Sequence, residues 1–177
     1  MIKEFLRAGL LQFGVFGVHQ APFKLNLSLL ASYPHILRQI AQETAPLIQG
    51  VDRLVCEASA VPMGVAVSLE VNIPLVYSLG TDQAGVYDLI GAYDVGHPTA
   101  LILHVWEQKT HQKLIEKAKH VGLEVQQVIS LFDLGNQPMG TTFSAIFNLL
   151  QVINDLEMQG NIPPGQAEAI RGWLKHR

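Results

Sequence analysis

At 177 residues, with a single cysteine and a formal charge of −3, the chain is long enough to bury a core without disulfides and has no electrostatic footprint for nucleic acid. Only 15% of its residues are charged, against roughly 25% in an ordinary soluble protein, while 49% are hydrophobic and the mean hydropathy is +0.24. A surface so poor in charge implies burial against a partner, most simply a second copy making a homodimer. The length suits one domain over residues 1–177. No apolar run approaches a membrane span, and Cys56 alone cannot form an internal disulfide, so a reducing, cytoplasmic setting is expected.

Met1 to Arg7 has charges at helical spacing and no cleavage signature, so it reads as a first helix, its apolar positions running from Ile2 to Leu11 and ending near Gly14. After Pro22, the segment Phe23 to Leu29 alternates strictly and predicts a half-buried strand. Tyr33 to Ile48 is an amphipathic helix that opens near Pro34. Arg53 to Cys56 is a short buried strand entering the turn Glu57 to Ala60, from which another helix runs through Glu70. Ile73 to Tyr77 and Thr99 to Val105 are further buried strands, and a helix follows from about Lys109 to His120. Val125 to Phe132 and Thr142 to Phe147 read as strands, Leu149 to Met158 as a helix, and Pro163-Pro164 starts a last helix to Lys175. Strands alternating with helices predict an α/β fold with a mainly parallel central sheet flanked by helices, and ligands at the carboxyl ends of its strands. The irregular stretch from Gly80 to Gly96 has the length of a lid.

Lysine and arginine are distributed unevenly. There is none between Arg53 and Lys109, and none between Lys119 and Arg171. The first gap covers the strand ends and loops where a parallel sheet would hold a phosphorylated ligand, so a neutral or singly charged ligand is expected there rather than a polyphosphate.

Several segments together resemble orotate phosphoribosyltransferase, an enzyme of the type I phosphoribosyltransferase fold. Leu11-Gln12-Phe13-Gly14 followed by Ala21-Pro22-Phe23-Lys24-Leu25-Asn26 is similar to that family's opening. Arg53 to Ala66 matches the length and apolar rhythm of its strand, pyrophosphate loop and helix. Asn72 to Val76 fits the next strand, and Gly91-Ala92-Tyr93-Asp94-Val95-Gly96 resembles the approach to the phosphoribosyl-diphosphate strand. The resemblance spans nearly the whole chain and implies homodimers paired through flanking helices. It also implies a nucleobase phosphoribosyl transfer, with Mg2+ needed only if that activity is present.

The family's catalytic groups do not carry over. Where it has two adjacent carboxylates and a glycine-bearing phosphate turn, this chain reads Leu103-His104-Val105-Trp106-Glu107-Gln108-Lys109-Thr110. Its arginine and lysine after the second strand correspond to Tyr77-Ser78-Leu79-Gly80, and its loop lysine and histidine to Thr81 through Asp88. The early lysine-serine-glycine loop is reduced to Val18-His19-Gln20. Losing three or four charge-assisted contacts costs on the order of 5 kcal/mol, several powers of ten in affinity.

The remaining candidates for ligand contact are Glu57, Ser59 and Ala60 in the turn after the second predicted strand, with His104, Glu107 and Thr110 around the later one. His104 suits either acid–base work or a backbone-bonded core role. Glu107 reads as a contact to a ribose hydroxyl or as a solvated loop acid. Thr110 reads as part of a single-phosphate site with Lys109 or as a helix cap. Glu57 would repel a pyrophosphate, and Cys56 reads as an inert core thiol. No histidine spacing suggests a metal site, and no cofactor is indicated. Lys109, Lys113, Lys117 and Lys119 read as a solvated helix face. The resemblance therefore implies a transferase-fold protein that has lost the transferase reaction and serves ligand binding, regulation or assembly. The alternatives are an active orotate or other nucleobase transferase using His104, Glu107 and Thr110, and a structural subunit of a larger assembly.

Overall fold

Leu54 to Cys56 and Ala100 to Leu103 are apolar on both sides of a strand, so the sheet they form has to be covered on both faces. That is where they lie, each with no exposed surface. The computed structural model describes residues 1–18, 20–80 and 88–176. Its main sheet has β3 (Arg53–Cys56), β4 (Leu75–Ser78), β5 (Leu89–Ile90), β6 (His97–Val105), β7 (Leu123–Asp133) and β8 (Thr142–Asn148) in the order β5-β4-β3-β6-β7-β8. All neighbours are parallel except β4 and β5. The fold is thus the mainly parallel α/β arrangement that the alternation of strands and helices predicts.

Side chains alternate across the pleat and feed two cores. Leu54, Cys56, Ala100 and Ile102 point into the larger core, with Ile36 and Ile40 of α2 (Pro34–Thr44), Met63 and Val67 of α3 (Val61–Val71), Ile153 of α5 (Leu149–Met158) and Ile170 of α6 (Pro164–Lys175). Val55, Leu101 and Leu103 point the other way, onto Leu114 and Ala118 of α4 (Gln108–His120). Each fully buried side chain of this size contributes about 1.5–3 kcal/mol. Gly64 lets α3 lie close on β3: a Cβ there would come within 2.9 Å of Cys56 Sγ.

The amino-terminal segment departs from expectation. The helix α1 (Ile2–Arg7) stops early, Gly9 takes a left-handed φ of +67°, and Leu11–Phe16 is not helix but β1, paired antiparallel with β2 (Ala21–Leu25). The apolar run across Leu10 and Leu11 satisfies helical and strand periods equally, and only the pairing with β2 decides it. The expected strand to Leu29 also ends at Leu25, because Leu27–Ser32 winds into a 3-10 turn. Asn26 fixes this corner by donating its side-chain amide to the Gly9 carbonyl at 2.9 Å. Phe23 meets Trp173 of α6 edge-on at 5.2 Å, tying the hairpin to the body.

The stretch from Gly80 to Gly96, read as wholly irregular, joins β4 to β6 and contains the short antiparallel β5. The lid reading and the comparison over residues 81–87 lie outside the described residues, as does His19 of the shortened early loop. Among the described residues no helix is long and apolar enough to cross a membrane.

Candidate functional site

The strand order reverses between β3 and β6, since the chain leaves β3 toward β4 and leaves β6 toward β7. At such a switch point the loops after the two strands diverge and leave a crevice at their carboxyl ends. Glu57 follows β3, His104 and Val105 finish β6, and the β2 corner closes the crevice from the side. The resulting cleft of about 540 Å³ is lined by residues 24–28, Glu57, Ser59, His104, Val105, Glu107 and His111. Of the six candidates, Glu57, Ser59, His104 and Glu107 meet there. Thr110 lies in an adjoining lobe of about 360 Å³, which shares Glu57, Ser59 and His111 with the first. Ala60 is fully buried in the larger core and lines neither cavity.

The centre of the site is a residue the sequence reading passed over. His111 lies on the buried face of α4 with Leu114 and Ala118 and is only 3% exposed. The Glu107 backbone N–H donates to its Nδ1 at 2.8 Å, which leaves the proton on Nε2, facing Glu57 Oε2 at 3.3 Å. Trp106, itself buried, packs against the imidazole with ring centroids 5.5 Å apart. A histidine in register with Leu114 and Ala118 was the available signal; its partner in a distant loop was not.

Burial alone would raise the Glu57 carboxyl, but hydrogen bonds from His111 and Ser59, helped by the nearby imidazoles, hold it below the ordinary carboxylate range. Glu57 is therefore an anion held by its own neighbours. His104 is 8% exposed, and its buried Nε2 has no hydrogen-bond partner among the described residues. Burial pushes its pKa below the ordinary value, against the pull of Glu57, so the ring is neutral near pH 7. Among the described residues no backbone group bonds this Nε2. Burial, reinforced by Glu57, pushes the Cys56 thiol up to about 12, as an unreactive core group requires.

Thr110 is the third residue of α4 rather than its cap. Glu107 precedes the helix, and the Thr110 hydroxyl donates to Glu107 Oε2 at 2.6 Å, so the two candidates satisfy each other. The lysine face of α4 is not simply solvated. Lys109, Lys113 and Lys117 line the second lobe opposite Ser59, Ser78 and Gly80. Lys117 donates to Asp88 Oδ2 at 2.7 Å, and Ser78 donates to the same oxygen at 2.6 Å. Lys109 and Lys113 form no ion pair among the described residues. The basic charge missing from the loops thus reaches the cleft from a helix.

Mg2+ does not fit this donor set. A hard cation needs free carboxylate oxygens. The end of β6 offers an imidazole and a valine, and the Oε2 of each nearby carboxylate already accepts a hydrogen bond, from Thr110 in Glu107 and from His111 in Glu57. Among the described residues no group of three or more His, Cys, Asp or Glu side chains is placed to hold a metal ion.

No family model matches the chain, and no curated protein matches it. Solved structures do. A UMP synthase from Leishmania donovani aligns with 99% of this chain at 26% identity and a TM-score of 0.84, the match covering 41% of that protein. The chain thus spans about two fifths of the length of that relative. Orotate phosphoribosyltransferase from Francisella tularensis aligns over 99% of this chain and 97% of its own at 17% identity and a TM-score of 0.73. The enzyme from Aeropyrum pernix aligns over 88% and 97% at 16% identity and 0.69. The fold is that of the type I phosphoribosyltransferases, at low sequence identity.

Proposed function

We propose that this chain is a phosphoribosyltransferase-fold protein that binds a small ligand without performing the transferase reaction. One observation carries the reading: β6 ends in His104 and Val105, so the crevice has no pair of adjacent carboxylates to hold ribose hydroxyls. Glu57 and Glu107 do not replace them, because His111 and Ser59 hold the first and Thr110 the second. The ligand class that suits the site is small and singly charged, its anion toward Lys109 and Lys113 and its polar body toward His104. A second copy of the chain is the favoured partner, supported by the low charge and by exposed apolar side chains such as Leu69 and Val95.

Incubation of the protein with orotate, phosphoribosyl diphosphate and Mg2+ tests the reading. No nucleotide should form above background. A turnover above about 1 per second, an ordinary enzymatic value, overturns it in favour of a transferase with atypical residues.

A further inference from the structure

The two lobes of the cleft differ in charge. The first, of about 540 Å³, is bordered by two carboxylates, Glu57 and Glu107, and by one ammonium, Lys24. Its two imidazoles leave that balance as it is near pH 7. His111 carries one ring proton, because its Nδ1 accepts the Glu107 N–H, and the buried His104 ring is neutral. One negative charge is therefore in excess. The second lobe, of about 360 Å³, is bordered by Lys109, Lys113 and Lys117, with Glu57 at the boundary that both lobes share. Asp88 matches Lys117 at 2.7 Å, whereas Lys109 and Lys113 form no ion pair among the described residues. Two positive charges thus border this lobe without a counterpart.

The separation follows from the order of elements. Glu57 and Glu107 come just after the adjacent strands β3 and β6, while Lys109 and Lys113 lie four residues apart on α4, so the acids gather at the sheet and the bases at the helix. An independent feature points to an occupant. His104 lines the first lobe, is only 8% exposed, and its Nε2 has no hydrogen-bond partner among the described residues. A buried nitrogen left unpaired costs free energy that a ligand N–H in the lobe recovers. Glu57 and Glu107 each engage Oε2 within the chain, but a hydrogen bond does not cancel a carboxylate's charge.

We propose that the cleft takes a phosphate monoester that carries an amine, its phosphate against Lys109 and Lys113 in the second lobe and its ammonium in the first, against Glu57, Glu107 and His104 Nε2. A phosphate monoester bears close to two negative charges at neutral pH, which the two lysines match. Its ammonium answers the excess acid of the first lobe, and the whole ligand keeps one net negative charge. A simple anion leaves the first lobe unanswered. A diphosphate brings more charge than the two lysines match and sets it beside Glu57, where like charges repel. The proposal rests on the ligand-binding reading above and gives the polar body of that ligand its chemistry.

Calorimetry on the full chain with two isosteric probes, aminopropyl phosphate and butyl phosphate, tests the proposal, since they differ only in an ammonium for a methyl group. The amine should bind ~10-fold more tightly, the value of one charge-assisted contact. Glu107→Gln keeps an acceptor for Thr110 and should cut that preference to about 3-fold or less, with butyl phosphate affinity changed by less than about 2-fold. Lys113→Ala should weaken both probes alike, by about 2- to 5-fold, and leave the preference in place. Equal affinity of the two probes for the unaltered protein overturns the proposal without recourse to any variant. A preference that stays near its full size in folded Glu107→Gln overturns it as well, because the ammonium then lies elsewhere. Binding of neither probe overturns the ligand-binding reading too. Nucleotide formation from orotate and phosphoribosyl diphosphate beside an intact preference overturns only the loss of the transferase reaction.

Discussion

Both ends of the parallel sheet hold a histidine beside a carboxylate, and they are built for different work. At the amino end His97 Nδ1 lies 3.0 Å from Asp52 Oδ1, with Arg53 alongside, and the Asp52 side chain is 52% exposed. At the carboxyl end His111 faces Glu57, and the imidazole is 3% exposed. The amino-end pair lies at the opposite end of the sheet from the opening that strand order leaves where the loops after β3 and β6 part. In water such a pair gains little, whereas the Glu57–His111 pair is held by a backbone N–H on one side and a serine on the other. The lesson is that residue types do not make a site; topology decides which histidine and carboxylate meet away from solvent.

The largest expected difference between the two ends is in stability. Glu57→Ala leaves the His111 Nε2–H buried and unpaired and should cost about 2–3 kcal/mol, while Asp52→Ala should cost less than about 1 kcal/mol. Urea unfolding of the two variants measures both, and equal losses would erase the distinction.

A smaller effect separates the ends by pH. The folded-state pKa of His104 lies below its ordinary 6.5, so as pH falls past that value the unfolded chain takes up a proton before the folded one, and stability drops until the folded value is passed. Glu57, also lowered, adds a contribution that is present above its ordinary 4.5 and lost as pH falls through its folded pKa. Unfolding curves for the unaltered protein and His104→Gln should therefore diverge below pH 6.5. Asp52→Asn should leave the decline below pH 6.5 in place; a decline in that range that survives His104→Gln would assign it elsewhere.

The smallest effect concerns the lysines. Lys109→Ala and Lys113→Ala should each weaken inorganic phosphate binding by about 2- to 5-fold, the value of an exposed charge contact of about 0.5–1 kcal/mol, and more at low salt than at high. Calorimetry in which Lys3→Ala, on α1, weakened phosphate equally would mean that the second lobe is not where the anion sits.

Much of the fold is legible residue by residue. The helix over Leu149–Met158 is readable in full because its apolar residues repeat at a single period and an asparagine caps it, the Asn148 side chain accepting from the Gln151 N–H. β3 is equally plain, since Leu54, Val55 and Cys56 are apolar on both sides and bounded by charged residues. The segment at Leu11 is not, because a run shared by two periods takes its form from a partner at Phe23 and Leu25. β5 escapes reading for the same reason: two residues have no period, and only Tyr77 and Ser78 make them a strand.

The site divides along similar lines. The amino-acid order alone determines that β6 ends in His104 and Val105 rather than in two acids, because a local motif is either present or absent in the chain. It also places lysines at 109, 113 and 117 on one side of α4, since residues four apart share a face. Which way that side turns, that His111 reaches Glu57 across the cleft, and that Glu107 and Thr110 satisfy each other were decided by how α4 packs on the sheet. Helical periodicity specifies a face but not what it confronts; the neighbour is chosen by the burial of Leu114 and Ala118 against Leu101 and Leu103, which rotates the helix until its histidine lies inward and its lysines border the crevice.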